Sequence, residues 1–265
     1  MLTYLERTAG DAGRTDGWWQ AREKASIAST QFTADASITS TPALPPTTLS
    51  VSNFTYVNHQ IPLYTYRNTH SYFLRTPDGN SNSGGYSSTG YQSLNRLRSG
   101  QISNLTTVDT WTTYTSYNNF LDTLGAIFKE ELRGIRNGTF HVQDEDRNIN
   151  TGDHGDHIAA SLVVQDARRR AGLGCTGVYR YLDYVTSSRT PNIITSATSA
   201  SSGYGSLIAK AGVWAALSWT LGENGYKMDF DGSPAGSLSH NAWIARQYIT
   251  SGSRKWEPSG NCNVV

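Results

Sequence analysis

The chain has 265 residues, enough for one large α/β domain with a substantial core. A formal net charge of +1 gives it no electrostatic pull toward nucleic acid or an acidic membrane face. Only 16% of residues are charged, against roughly 25% in ordinary soluble domains, so Ser, Thr, Asn and Gly must carry the surface polarity. No apolar run is long enough to span a bilayer.

In chain order, Leu2–Leu5 reads as a short strand entering the Gly-rich loop Gly10-Asp11-Ala12-Gly13. Asp16 is placed to cap a following helix, in which Trp18, Ala21, Ala25, Ala28 and Phe32 recur at helical spacing. A proline-bearing connection over 39–48 leads to a strand over 49–57. Ser71–Arg75 is a further strand, closed by the turn signal Pro77-Asp78-Gly79. The Ser/Gly-rich stretch 80–90 is expected to be a mobile surface loop.

A helix is predicted over Tyr114–Leu132, with Phe120, Leu124, Ile127 and Phe128 on one face. Phe140–Gln143 is the next strand, His157–Arg170 the next helix and Val178–Leu182 a strand. Leu207–Trp219 and Asn241–Ile249 are the last helical stretches. Strands alternating with helices predict an α/β fold, a Rossmann-like three-layer sandwich with a mainly parallel sheet, in a single domain over 1–265.

The densest chemistry lies in Asp153-His154-Gly155-Asp156-His157, at a predicted strand-loop-helix transition. Two histidines three apart at a helix start project to one side. The positive end of the helix dipole disfavours imidazolium there and favours a neutral ligand histidine. Asp153 and Asp156 are placed to accept a ring N–H and fix a tautomer. The other histidines, His59, His70, His141 and His240, stand outside any such cluster.

Three stretches in order resemble one family. Thr8-Ala9-Gly10-Asp11-Ala12-Gly13-Arg14, with Trp19 and Ala21-Arg22-Glu23, resembles a TAGDAG…W…RE segment. Tyr72–Gly79 resembles YFLRLPDG, and Gly152–His157 followed by Ile158-Ala159-Ala160 resembles an HxDH loop entering a helix. Together they resemble the zinc-dependent GlcNAc-phosphatidylinositol de-N-acetylases (LmbE-like), over roughly residues 2–185. The resemblance implies that His157 is a zinc ligand, and that His154 stabilises an oxyanion and protonates the leaving amine with Asp156 orienting it. It also implies that Arg22 and Asp78 border a sugar pocket.

The family's HxDD motif, which supplies two zinc ligands and the general base, is not found; the first strand and helix of the domain are expected to be missing. The expectation is therefore a metal-dependent N-deacetylase acting on an N-acetylated amino sugar or glycoconjugate. The chain as written is expected to hold little or no zinc and to show no amide hydrolysis, unless acidic residues such as Asp144, Asp146 or Asp153 replace the missing ligands. The alternative is a non-catalytic secreted carbohydrate-binding or interaction module.

Acceptor triplets at Asn53, Asn104 and Asn137 point to a secreted glycoprotein. Two cysteines exclude a four-cysteine metal site. In a secreted chain Cys175 and Cys262 are expected to be bridged, pinning the tail to the body.

Overall fold

The computed structural model describes residues 2–36, 47–135, 138–193, 201–228, 230 and 240–250. Its largest sheet has four strands: β1 (Leu2–Thr8), β2 (Ser50–Tyr56), β3 (His59–Tyr66) and β4 (Thr69–Thr76). They lie in the order β1-β4-β3-β2, with β1 parallel to β4 and the other pairs antiparallel. This overturns the expected mainly parallel Rossmann-like sandwich. The physical reason is the linkage of β2, β3 and β4 through Val57-Asn58 and Arg67-Asn68. Two-residue turns can join only antiparallel neighbours, because a parallel step needs a long crossover.

Period-two alternation along β3 and β4 sorts side chains onto two covers. Ile61, Leu63, Tyr72 and Leu74 face the main core. There they meet Phe120, Leu124 and Ile127 of α3 (Tyr117–Glu131), along with Leu94 and Leu97 of α2 (Leu94–Arg98). On the other face, Tyr64 and Tyr66 donate their hydroxyls to Glu23 and Asp35 of α1 (Trp18–Ala36). Small residues Ala21 and Ala25 let α1 pack closely on Leu217 and Leu221 of α5 (Ser201–Glu223).

A small hairpin, β5 (Leu105–Thr106) with β6 (Thr113–Tyr114), occupies the start of the stretch predicted as helix. There α3 begins only after Ser116, whose hydroxyl accepts the Asn119 N–H. A separate parallel pair, β7 (Thr139–Gln143) and β8 (Gly177–Tyr181), flanks α4 (Gly155–Arg170) in the chain, a β-α-β unit. The predicted helix over Asn241–Ile249 is only a short 3-10 turn, Asn241–Trp243. Beyond it the chain runs along β8, with Leu182 N–H donating to Tyr248 O and Thr250 N–H to Arg180 O. Neither is residues 80–90 a free loop: Ser83 is buried and 87–89 form a 3-10 turn. No helix among the described residues is long and apolar enough to cross a membrane.

One carboxylate ties the sheet to the last turn of α3. Glu131 accepts the hydroxyls of Thr3 and Tyr72, each at 2.6 Å, and meets His70 Nδ1 at 2.8 Å. Burial pushes its pKa up, but these three donors outweigh burial and leave it below the usual glutamate value of 4.5. A depressed folded-state pKa contributes stability that is present above 4.5 and lost as pH falls through the folded value. Glu131→Ala is expected to cost about 2 kcal/mol at pH 7, read from the urea midpoint. That difference should narrow at acid pH, where the wild-type carboxylate takes up its proton.

Candidate functional site

The C-terminal ends of β1, β4, β7 and β8 lead into loops that meet at the N-terminus of α4. After β1, buried Asp11 accepts the Gly13 N–H at 3.0 Å and the Asp78 N–H at 2.7 Å, clasping the loop that follows β4. Within that loop Gly79 donates its N–H to Asp156 Oδ2 at 2.6 Å. A Cβ on Gly79 would lie 2.3 Å from Asp156 Oδ1, and one on Gly155 would lie 1.6 Å from Ser83 Oγ, so glycine is demanded at both places. Burial raises the Asp156 pKa to about 7, with the Asp78 and Asp11 charges adding and the Gly79 N–H opposing. Its Oδ1 is buried without a partner.

His154 is the N-cap of α4, and its Nδ1 accepts the Asp156 main-chain N–H at 3.2 Å. The main chain of Asp156, rather than its carboxylate 4.0 Å away, therefore holds this ring. Burial lowers the His154 pKa and His157 adds to the lowering, against the pull of Asp78 and Asp153. With Nδ1 an acceptor, the neutral ring carries its proton on Nε2.

His157 sits one turn into the helix. Its Nδ1–H faces Asp153 Oδ1 at 2.8 Å and Asp183 Oδ2 at 3.2 Å. Burial works to lower its pKa, but the hydrogen bond to Asp153 and the charges of Asp183 and Asp156 prevail and raise it. Asp183, just past β8, is itself raised by burial, relieved in part by His157. One ring nitrogen of His157 and one oxygen each of Asp153 and Asp183 lie within 4.8 Å of one another. One imidazole and two carboxylates match in number the three protein donors of an open catalytic site, once the Nδ1 proton that now bridges them leaves as a cation enters. They fit a divalent cation without selecting zinc from the others that accept nitrogen and oxygen donors.

A fully buried amide builds this cluster. Asn150 Nδ2 donates to Asp153 Oδ2 at 2.6 Å and to Asp144 O at 3.1 Å, while its Oδ1 accepts the Asp183 N–H at 3.1 Å. Asn150 and Asp183 carried no motif. The available signal for Asp183 was its place at the carboxyl end of a strand, where open α/β sheets bind ligands.

The structure thus brings His154, Asp156, His157 and Asp78 together. Arg22 lies at the rim, exposed, with its guanidinium over Gly10 and 5.8 Å from the Trp18 ring. Asn53 on β2 and Asn104 are exposed, and Asn137 lies outside the described residues. Cys175 is disulfide-bonded; Cys262, the partner expected for it, lies outside the described residues.

Compared with known proteins, the chain matches no family model, no curated protein and no solved structure.

Replacing Asn150 by Ala strips a buried carboxylate and a buried main-chain N–H of their partner. It is expected to lower stability by about 1–3 kcal/mol, measurable as a drop in thermal midpoint.

Proposed function

We propose that the chain is a secreted metal-dependent amide hydrolase that removes acetyl from an N-acetylated amino sugar or glycoconjugate. The observation that carries this reading is the trio Asp153, His157 and Asp183, three convergent donors at a helix N-terminus beside a neutral histidine. The resemblance of the Gly152–His157 segment to the LmbE-like HxDH loop supports the choice of reaction. The disulfide at Cys175 and the exposed Asn53 and Asn104 support an extracellular setting.

His157, Asp153 and Asp183 would hold the cation, for which zinc is proposed. When bound, such a cation polarises an amide carbonyl and makes water a better nucleophile near neutral pH. The chain's own groups then have distinct tasks. His154, with its proton on Nε2, is a donor for negative charge building on the amide oxygen. The amide C–N bond breaks as water adds: the oxygen of water goes to the acetyl carbon and its protons to the departing nitrogen, so that acetate and the protonated amine leave while the His154 Nε2–H stays on the ring. Asp156 keeps His154 seated through its main-chain N–H and anchors the β4 loop through its carboxylate. Asp78 and Arg22 would offer an acceptor and a donor to sugar hydroxyls.

The test is metal titration of the dialysed protein, followed by acetate release from N-acetylglucosamine conjugates. Against the deficit expected from the missing HxDD motif, one cation per chain and metal-dependent release are proposed, because Asp153 and Asp183 offer the two further donors. Asp183→Asn should weaken metal affinity by at least about tenfold, the lower end even for a residue that only supports a ligand. His157→Ala should abolish both uptake and release. Stoichiometric metal with no release from any N-acetylated sugar would sink the hydrolase reading.

A further inference from the structure

Immediately after Asp183 the chain turns into a 3-10 helix, Tyr184–Ser188, and its first residue carries an aromatic ring into the site. The Tyr184 ring stands edge-on to His157, with centroids 5.0 Å apart, and is 41% exposed. Asp183 and Asp153 of the cation trio, with Arg22 and Asp78, act on its phenol electrostatically. A second ring continues the surface: Trp243 is 5.5 Å from Tyr184 and tilted 48° to it.

Behind these two, Trp214 of α5 packs 6.1 Å from Trp243 and 4.6 Å from His240, with which it stacks. Trp214 belongs to a small core with Leu207, Phe230, Ile244 and Ala245. Lys210 Nζ holds the Trp243 carbonyl at 2.8 Å. The inner rings are therefore anchored by packing, and the outer ring, Tyr184, is left half open beside the chemistry. A core aromatic needs no such position, whereas a bound sugar needs an apolar face beside a few convergent polar groups.

We infer that Tyr184 and Trp243 form a two-ring stacking ledge, and that the preferred substrate carries two linked pyranose rings. The N-acetylated ring lies on Tyr184 at His157 and its neighbour on Trp243. This deepens the hydrolase reading and rests on the same site, but its test does not depend on catalysis.

The experiment is titration of the metal-free full chain with N-acetylglucosamine and with its β-linked disaccharide, followed by tryptophan fluorescence. The disaccharide should quench the signal and bind about threefold to tenfold more tightly, the increment that one ring contact supplies. Trp243→Phe should keep most of that preference, and Trp243→Ala should erase it. Tyr184→Ala should weaken both sugars, and Tyr184→Phe should retain both, because the ring and not the phenol makes the contact. Circular dichroism on each variant separates loss of binding from loss of fold.

Equal affinity for the two sugars, no binding of either, or full binding by a folded Tyr184→Ala variant would overturn the ledge. Preference for two rings without acetate release would retain the ledge and remove the hydrolase reading. Acetate release with binding indifferent to both substitutions would do the reverse.

Discussion

The contact on which the site depends is the approach of Gly79 to Asp156. The Asp156 carboxylate takes the Gly79 N–H at 2.6 Å, and no side chain larger than hydrogen fits between them. This contact joins the loop after β4 to the first turn of α4, and Asp11 joins the loop after β1 to the same place. Elsewhere the β7-α4-β8 unit is joined to the layer under the large sheet by the apolar packing of α3 and by polar contacts farther along α4, such as Tyr117 to Asp166 and Arg170 to Asp122. At the site itself a short, buried hydrogen bond sets the angular register of the polar groups.

What collects around that join is an excess of acid. Asp11, Asp78, Asp153, Asp156 and Asp183 converge on His154 and His157, with Arg22 at the rim. Burial raises the pKa of Asp11, Asp156 and Asp183 alike. The pattern is one in which several carboxylates oppose one another's ionisation until a cation enters. A site so composed attracts positive charge and repels a carboxylate product. Under the proposed reaction, that repulsion would favour the departure of acetate.

The HxDH segment was legible because its chemistry is local: N-cap, helix start and paired histidines are set by neighbours in the chain. The strand partners were not. No element was expected over 58–70, where Pro62 interrupts the strand pattern, and the turns that flank β3, Val57-Asn58 and Arg67-Asn68, carry no glycine to announce a hairpin. Val57 and Arg67 adopt positive φ, 54° and 51°, a cost that only the surrounding sheet can hold in place. With that hairpin hidden, alternation of strand and helix looked regular and implied parallel pairing. Asp183 and Asn150 were invisible for a related reason. A ligand carboxylate past one strand and an amide in a loop acquire meaning only when β7 and β8 lie side by side.

Helix α4 is also fastened at its far end, where the buried Arg168 guanidinium donates to the carbonyls of Gly174 and Thr176 at 3.0 and 2.7 Å. A rod gripped at both ends can neither slide nor rotate about its axis, so the histidines form the stationary jaw of the site. Whatever adjusts to an arriving molecule must then belong to the opposite jaw, the single 3-10 turn that carries Tyr184. The two sides of one site should accordingly open on different timescales, with slow amide exchange along α4 and faster exchange over 184–188.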